Sequence, residues 1–209
     1  MKKLLLMILA VLFISLNINA QEDFREQLKF GIKAGINFSN VYDEVGDEFT
    51  ADGKLGFVGG AFLAIPIGKF LGVQPEILFS QKGFKADGTI LGVPYTTKHT
   101  STFIDIPLLI TLKPTQGFTI LAGPQYSYLM KEKDSFEMNG VTTDDENVYQ
   151  NDNIRKNILC FIGGIDINLK NLVLGARVGW DLQHNNGDGT SSSPRYKNAW
   201  YQATLGIRF

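Results

Sequence analysis

Few side chains in this sequence could carry out chemistry, and they are widely spaced. The two histidines are His99 and His184, and His184 precedes a serine run at 191–193. A serine nucleophile needs a base within hydrogen-bond reach and a third group that orients the base, and this spacing indicates neither. The single cysteine, Cys160, can form neither an intrachain disulfide nor a zinc site of paired cysteines. We therefore predict no catalytic residue, no metal site and no cofactor.

Charged residues at alternate positions form a second set of candidates. In residues 28–39, apolar side chains occupy one face, and Lys29 and Lys33 lie on the other. Eight such charges balance four against four: Lys29, Lys33, Glu76, Asp105, Asp166, Arg177, Asp181 and Arg208. Strand heights predict that Lys33, Glu76, Asp105 and Arg177 lie near mid-height, and that Lys29, Asp166 and Arg208 lie lower. Buried charges are tolerated only when paired, so the set indicates a structural plug, with the selectivity lining of a pore as the alternative.

The charges lie on segments in which every second residue is apolar, the pattern of strands with two different faces. Eight such segments cover residues 28–39, 55–66, 71–82, 100–112, 118–129, 157–169, 172–183 and 199–209. Short turns alternate with long polar stretches at about 40–54, 83–99, 130–156 and 184–198. This layout is typical of outer-membrane barrels. The predicted fold is all-β, an eight-stranded antiparallel up-and-down transmembrane β-barrel with both termini at the short-turn, periplasmic end.

Aromatic residues test the same prediction, because amphipathic rings favour the headgroup level of a bilayer. The strand order predicts a periplasmic girdle that includes Phe30, Phe118 and Phe209. It predicts an outer girdle that includes Tyr126, Tyr128, Trp180, Trp200 and Tyr201.

The N-terminus has the pattern of a secretory signal peptide. Lys2 and Lys3 precede an apolar run at 4–16, and a small residue, Ala20, ends the segment. We predict a cleaved signal peptide at 1–20, a short linker at 21–27 and an outer-membrane barrel at 28–209. Cleavage removes two lysines and leaves 18 basic and 21 acidic residues, a net charge of −3. No basic field favours nucleic acid. The expected location is the outer membrane of a Gram-negative bacterium.

Several segments resemble a known family. They are FGIKAGINFSNV (30–41), QPEILFSQKG (74–83), FIDIPLLITLKP (103–114), LAGPQYSYLM (121–130) and LGIRF (205–209). They resemble the small barrels described as "outer membrane protein beta-barrel domain", PorT-like or porin-family proteins. The resemblance implies an eight-stranded barrel in the outer membrane and no single function. One type of member takes part in type IX protein secretion.

The sequence leaves several functions open. The first hypothesis is a non-enzymatic structural or binding element that contacts lipid. Its loops at 40–54 and 130–156 would then meet another envelope protein or a surface glycan, since binding usually resides on loops. The alternatives are a component of a secretion apparatus, a narrow small-solute channel, and a soluble lipocalin-like carrier. The last would need a polar outward face.

Overall fold

The computed structural model describes residues 24–45, 51–90, 92–138, 141–147, 154–186 and 195–209. The predicted signal peptide lies outside these residues. Within the predicted linker, a 3-10 turn at Phe24–Glu26 precedes the first strand. In the described part of the chain, no helix is long and apolar enough to cross a membrane.

Nine antiparallel strands follow, and eight of them close into a ring. The strands are β1 (Lys29–Val45), β2 (Asp52–Pro66), β3 (Leu71–Ile90), β4 (Val93–Thr115), β5 (Phe118–Met138), β6 (Val141–Asn147), β7 (Asn157–Leu169), β8 (Leu172–Asp181) and β9 (Arg195–Arg208). Pairing of β1 with β9 and of β4 with β5 closes the ring, and β6 lies beside β5 outside it. The predicted eight-stranded up-and-down barrel is confirmed.

Alternating burial explains why these sequences form a barrel. Along β8 exposed and buried residues alternate at every position, as expected for a strand with two different environments. Large apolar side chains such as Ile32 and Ile110 point outward and are 52% and 66% exposed. Charged side chains such as Arg177 point inward and are buried. A polar interior and an apolar outer surface are the arrangement that lipid requires, and a soluble carrier would have the reverse.

Two of the predicted long loops are largely strand, so those predictions were wrong. β3 and β4 continue through 83–99, where Lys85 pairs with Lys98 and the pairing extends to Ile90 and Val93 at the tip of the hairpin. Most of 130–147 is also strand, because β5 runs to Met138 and β6 pairs with it. Outside a bilayer no apolar outer face is needed, so the alternating pattern disappears although the backbone still pairs. The ends of β3, β4 and β5 and the whole of β6 (84–90, 93–101, 132–138 and 141–147) form what we call the protruding sheet.

The aromatic residues occupy both rims, with one exception. At the short-turn end, the rings of Phe30 and Phe209 stack with their centroids 5.5 Å apart, and Phe118 begins β5. At the other end, four of the predicted girdle residues are exposed, namely Tyr126, Tyr128, Trp180 and Tyr201. The prediction that Trp200 belongs to the outer girdle was wrong. Its side chain is only 1% exposed and points into the barrel. Successive side chains of a strand point to opposite faces, and the neighbouring Tyr201 points outward.

Candidate functional site in the barrel interior

Four buried charges from four strands meet at mid-barrel, and we call them the mid-barrel cluster (Lys33, Glu76, Asp166 and Arg177). Nη1 of Arg177 donates to both carboxylate oxygens of Glu76, at 2.9 and 2.8 Å. Nη2 of Arg177 lies 3.3 Å from Oδ2 of Asp166. Nζ of Lys33 donates to Oε2 of Glu76 at 2.5 Å. Two cations and two carboxylates therefore neutralise one another in the interior.

The central contact of this cluster spans the lumen. Glu76 lies on β3 and Arg177 on β8, and these strands stand four places apart in the ring of eight. The two side chains therefore approach from opposite walls and meet near the axis. An eight-stranded barrel is only wide enough for its interior side chains to fill it. The pair thus lies across the lumen at this height.

A second layer lies nearer the protruding sheet and is built around Lys82. Nζ of Lys82 is 3.2 Å from Oδ2 of Asp105. It also lies over the aromatic rings of Trp200 and Phe103, at 3.8 and 4.7 Å from the centroids. The predicted set of interior charges lacks Lys82, although its even position on β3 puts it on the same face as Glu76. Lys82 is absent from that set because it is the last residue of its segment and stands beside a predicted loop.

The eight predicted charges therefore do not form one network. Asp166 belongs to the mid-barrel cluster rather than lower, and Asp105 lies above it with Lys82. Asp181 accepts hydrogen bonds from the backbone and side-chain nitrogens of Asn198, at 3.0 and 2.6 Å. Lys29 and Arg208 both line a cavity at the short-turn end. Strand tilt and stagger explain these differences, because residues equally far from a turn do not share a height.

A polar cluster at the base of the protruding sheet surrounds His99, and we call it the His99 cluster (His99, Ser101, Glu132, Asp134 and Tyr196). Nδ1 of His99 lies 2.6 Å from Oδ1 of Asp134. Nε2 lies 3.0 Å from the hydroxyl oxygens of both Ser101 and Tyr196, and 3.5 Å from Oε1 of Glu132. The ring of Phe84 stacks on the imidazole, with centroids 5.3 Å apart. The sequence alone does not predict this cluster, because Glu132, Asp134 and Tyr196 lie in segments that were predicted to be loops.

The order Ser101, His99, Asp134 matches that of a catalytic triad, but its electrostatics do not suit a base. Burial lowers the pKa of His99, yet hydrogen bonds and charge from Asp134 and Glu132 outweigh burial and raise the pKa to about 9. The imidazole is therefore protonated at neutral pH and cannot take the proton of a serine hydroxyl. The Ser101 side chain is also only 2% exposed. This cluster is suited to holding strands together by charge-assisted hydrogen bonds.

The interior offers little room for solutes. Between Lys33, Gln74, Asp166 and Arg177 the packing leaves no cavity that could hold a water molecule. A cavity of about 30 Å³ opens towards the short turns. Among the described residues, no group of three or more histidine, cysteine or acidic side chains is placed to hold a metal ion.

Comparison with known proteins places this geometry in a family. The model of the family described as "Outer membrane protein beta-barrel domain" matches residues 19–185. The chain belongs to this family. It is therefore a protein of the bacterial outer membrane. Outer-membrane barrels have short turns on the periplasmic side and longer segments outside, so we expect the short turns of this chain to face the periplasm and its protruding sheet to stand on the extracellular side. No curated protein matches the chain. The narrower likeness to PorT-like proteins stays a prediction.

Several solved structures of outer-membrane proteins are similar to this chain at low identity. The attachment invasion locus protein Ail of Yersinia pestis is 15% identical, with a TM-score of 0.46 over 87% of this chain and 98% of that one. Neisserial surface protein A is 11% identical, with a TM-score of 0.47 over 86% of this chain and 97% of that one. OprG of Pseudomonas aeruginosa is 14% identical, with a TM-score of 0.39 over 87% and 95%. Such identities speak to the fold alone.

Proposed function

We propose that this protein is a non-enzymatic, non-conducting barrel that serves as a structural or binding element of the outer membrane. Paired charges plug its interior, and its protruding sheet is the surface that meets a partner. The observation that carries the proposal is the bridge from Arg177 to Glu76 across the lumen, at 2.9 and 2.8 Å.

Three features of the interior support a closed lumen. The bridging side chains are buried, with Glu76 and Arg177 each 4% exposed. No space for water remains beside Arg177, between Lys33, Gln74 and Asp166. Separating the two side chains would leave each buried charge without its partner, which is strongly unfavourable in a poorly hydrated interior. A solute would have to displace the pair in order to pass.

Conductance in planar bilayers tests the closed lumen. We expect no conductance steps from the wild-type protein, and no large conductance from E76A or R177A alone. The double variant E76A/R177A removes both side chains that meet near the axis, so we expect it to pass small ions. I77A is the matched control, because Ile77 neighbours Glu76 but points outward and is 56% exposed. Ion-selective conductance in the wild type would overturn the proposal.

The shape of the protruding sheet supports a role in contact. Its strands are paired rather than irregular, and the rings of Tyr95 and Phe136 stack with centroids 5.4 Å apart. On its other face, Nζ of Lys98 donates to Oε2 of Glu137 at 3.1 Å. Binding commonly resides on segments that a rigid scaffold holds beyond it. The proposed partner is another envelope protein or a surface glycan.

Shortening the β3–β4 hairpin tests this surface. Lys85 and Lys98 are paired across the hairpin, so replacing 86–97 with Asn-Gly should join them by a tight turn. Pull-downs from native membranes would compare this variant with the wild type, and a folded-barrel gel shift would check both. We expect specific companions of the wild type to be lost from the variant. Identical companions would contradict a role for this hairpin, and components of a secretion apparatus among them would favour the secretion alternative.

A further inference from the structure

The periplasmic mouth of the barrel is strongly basic on its inner side. Its cavity of about 30 Å³ is lined by four cationic residues, Arg25, Lys29, Lys113 and Arg208, and by one carboxylate among the described residues, Asp166. Most of the other lining residues are neutral polar ones. This mouth is separate from the proposed contact surface, which lies at the opposite end of the barrel.

The lining carboxylate is already engaged above the cavity. Both oxygens of Asp166 face Nη2 of Arg177, at 3.4 and 3.3 Å. Asp166 therefore helps to balance the mid-barrel cluster, where two cations face two carboxylates. Its single charge also acts on Arg208, so one carboxylate is shared between that cluster and a mouth lined by four cations.

Two of the mouth cations make their hydrogen bonds to neutral oxygens within the described chain. Nζ of Lys113 donates to the backbone oxygen of Arg25 at 3.0 Å. Arg208 donates to the backbone oxygen of Lys170 and to Oδ1 of Asn168, both at 2.9 Å. Lys113 lies on β4 and Arg208 on β9, strands four places apart in the ring. Positive charge therefore approaches the cavity from opposite walls.

We propose that the periplasmic mouth binds a carboxylate group. A cavity of about 30 Å³ holds about two water molecules, which matches the two oxygens of a carboxylate. Guanidinium and ammonium groups form their strongest hydrogen bonds with such oxygens. Partly buried cations gain most from a counter-charge, because burial weakens their hydration. The rest of the ligand stays outside the open mouth, so either a small free acid or the carboxyl end of a peptide satisfies the site.

NMR titration of the barrel in detergent or nanodiscs tests the site. The probes are sodium acetate, sodium chloride at equal ionic strength, and a short peptide with a free or an amidated C-terminus. We expect acetate to shift the side-chain amide signals of Gln116 and Asn168, which line the mouth, in a saturable way, while chloride does not. If the peptide with a free C-terminus binds more strongly than acetate, the carboxylate comes from the end of a peptide. If the peptide and acetate bind equally, the carboxylate comes from a small acid.

Charge-removal variants show whether the named cations hold the probe. We expect K113Q and R208Q each to weaken acetate binding about tenfold, the loss of one charge-assisted hydrogen bond. K69Q is the matched control, because it removes a positive charge from an exposed residue at the same end that does not line the cavity. Equal weakening by K69Q would show a general surface field and overturn the site.

Two further outcomes would overturn the proposed site. Absence of saturable shifts in the wild type, with dispersed spectra that show a folded barrel, would overturn it. Glu22 and Asp23 precede Arg25 in the sequence, so E22Q/D23N asks whether the chain supplies its own carboxylate. Acetate binding that appears only in this double variant would overturn an external ligand. Binding of similar strength in both proteins would support it.

Discussion

The mid-barrel cluster and the His99 cluster both cross the lumen, but they do so with different chemistry. At mid-barrel, opposite walls are joined by a charged contact between Arg177 and Glu76. At the base of the protruding sheet, the contact across the lumen is the neutral hydroxyl of Tyr196 against His99, at 3.0 Å. The carboxylate that binds His99 most closely, that of Asp134, comes from the adjacent strand β5. One cluster therefore joins opposite walls at mid-barrel, and the other ties the protruding sheet to the barrel.

The difference shows how burial determines the role of a charge. Within the bilayer, water cannot rescue a broken pair, so cations and carboxylates must balance locally. Above the bilayer, Asp134 is half-exposed, and solvent shares the task of stabilising its charge. Loss of one charge should therefore be costly at mid-barrel and milder in the His99 cluster.

The largest effect is expected from R177A. It removes the guanidinium that contacts Asp166 and leaves Glu76 with Lys33 as its one contacting cation, so we expect a loss of about 3–5 kcal/mol in the free energy of unfolding. Urea unfolding in lipid measures it. Replacing both partners with neutral residues of similar size, as in E76Q/R177M, should cost less than the two single changes together. Each single change leaves a buried charge without its partner, and the second change removes that charge. Additive losses would show that the two residues do not act as a pair.

A smaller loss is expected at the second layer, where two adjacent residues provide their own control. Trp200 is buried against Lys82, with Nζ 3.8 Å from the ring centroid, whereas Tyr201 is 68% exposed. We expect W200L to cost about 2–4 kcal/mol through lost packing and cation–π contact. Y201L should stay within about 0.5 kcal/mol. The same urea measurement applies, and the opposite order would return Trp200 to the outer girdle.

A pH-dependent contribution is expected from His99. The pKa of His99 is about 9 in the folded protein and about 6.5 in an unfolded chain. Its protonated form thus favours folding, so its contribution is fully present below about pH 6.5 and is lost as pH rises through about 9. The difference in unfolding free energy between wild type and H99Q should shrink from pH 6 to pH 10. A constant difference would contradict the charged hydrogen bonds to Asp134 and Glu132.

Single cysteine substitutions at exposed positions test the topology and should disturb the protein least. Cys160 is fully buried and should not react with a membrane-impermeant thiol reagent. On intact cells, we expect V141C in the protruding sheet to be labelled and K69C in a short turn to stay unlabelled, with little effect of either change on stability. Both positions are exposed, so access alone distinguishes them. Labelling of K69C from outside would invert the orientation.

Sequence reasoning succeeded where lipid imposes a pattern and failed where it does not. Strands such as β8 alternate strictly because lipid lies on one side and packed polar groups lie on the other. In 83–99 both faces of the hairpin are largely polar, so no periodicity marked it as strand. Trp200 was predicted to lie in the outer girdle because it is aromatic. Its position directly before the outward-facing Tyr201 instead indicates a side chain that points into the barrel.

The sequence by itself determined the barrel, its eight crossings and which face of each strand carries charge, because alternation with a period of two follows from the strand backbone alone. Only the tertiary structure decided which charges meet. Tilt and stagger brought Asp166 rather than Asp105 to Arg177, and joined Lys82 to Asp105. Closure of the ring brought β3 and β4 opposite β8 and β9, which created both the contact between Arg177 and Glu76 across the lumen and the group of cations at the mouth. Contacts across a lumen depend on the shear of the whole barrel, a property that no single strand contains.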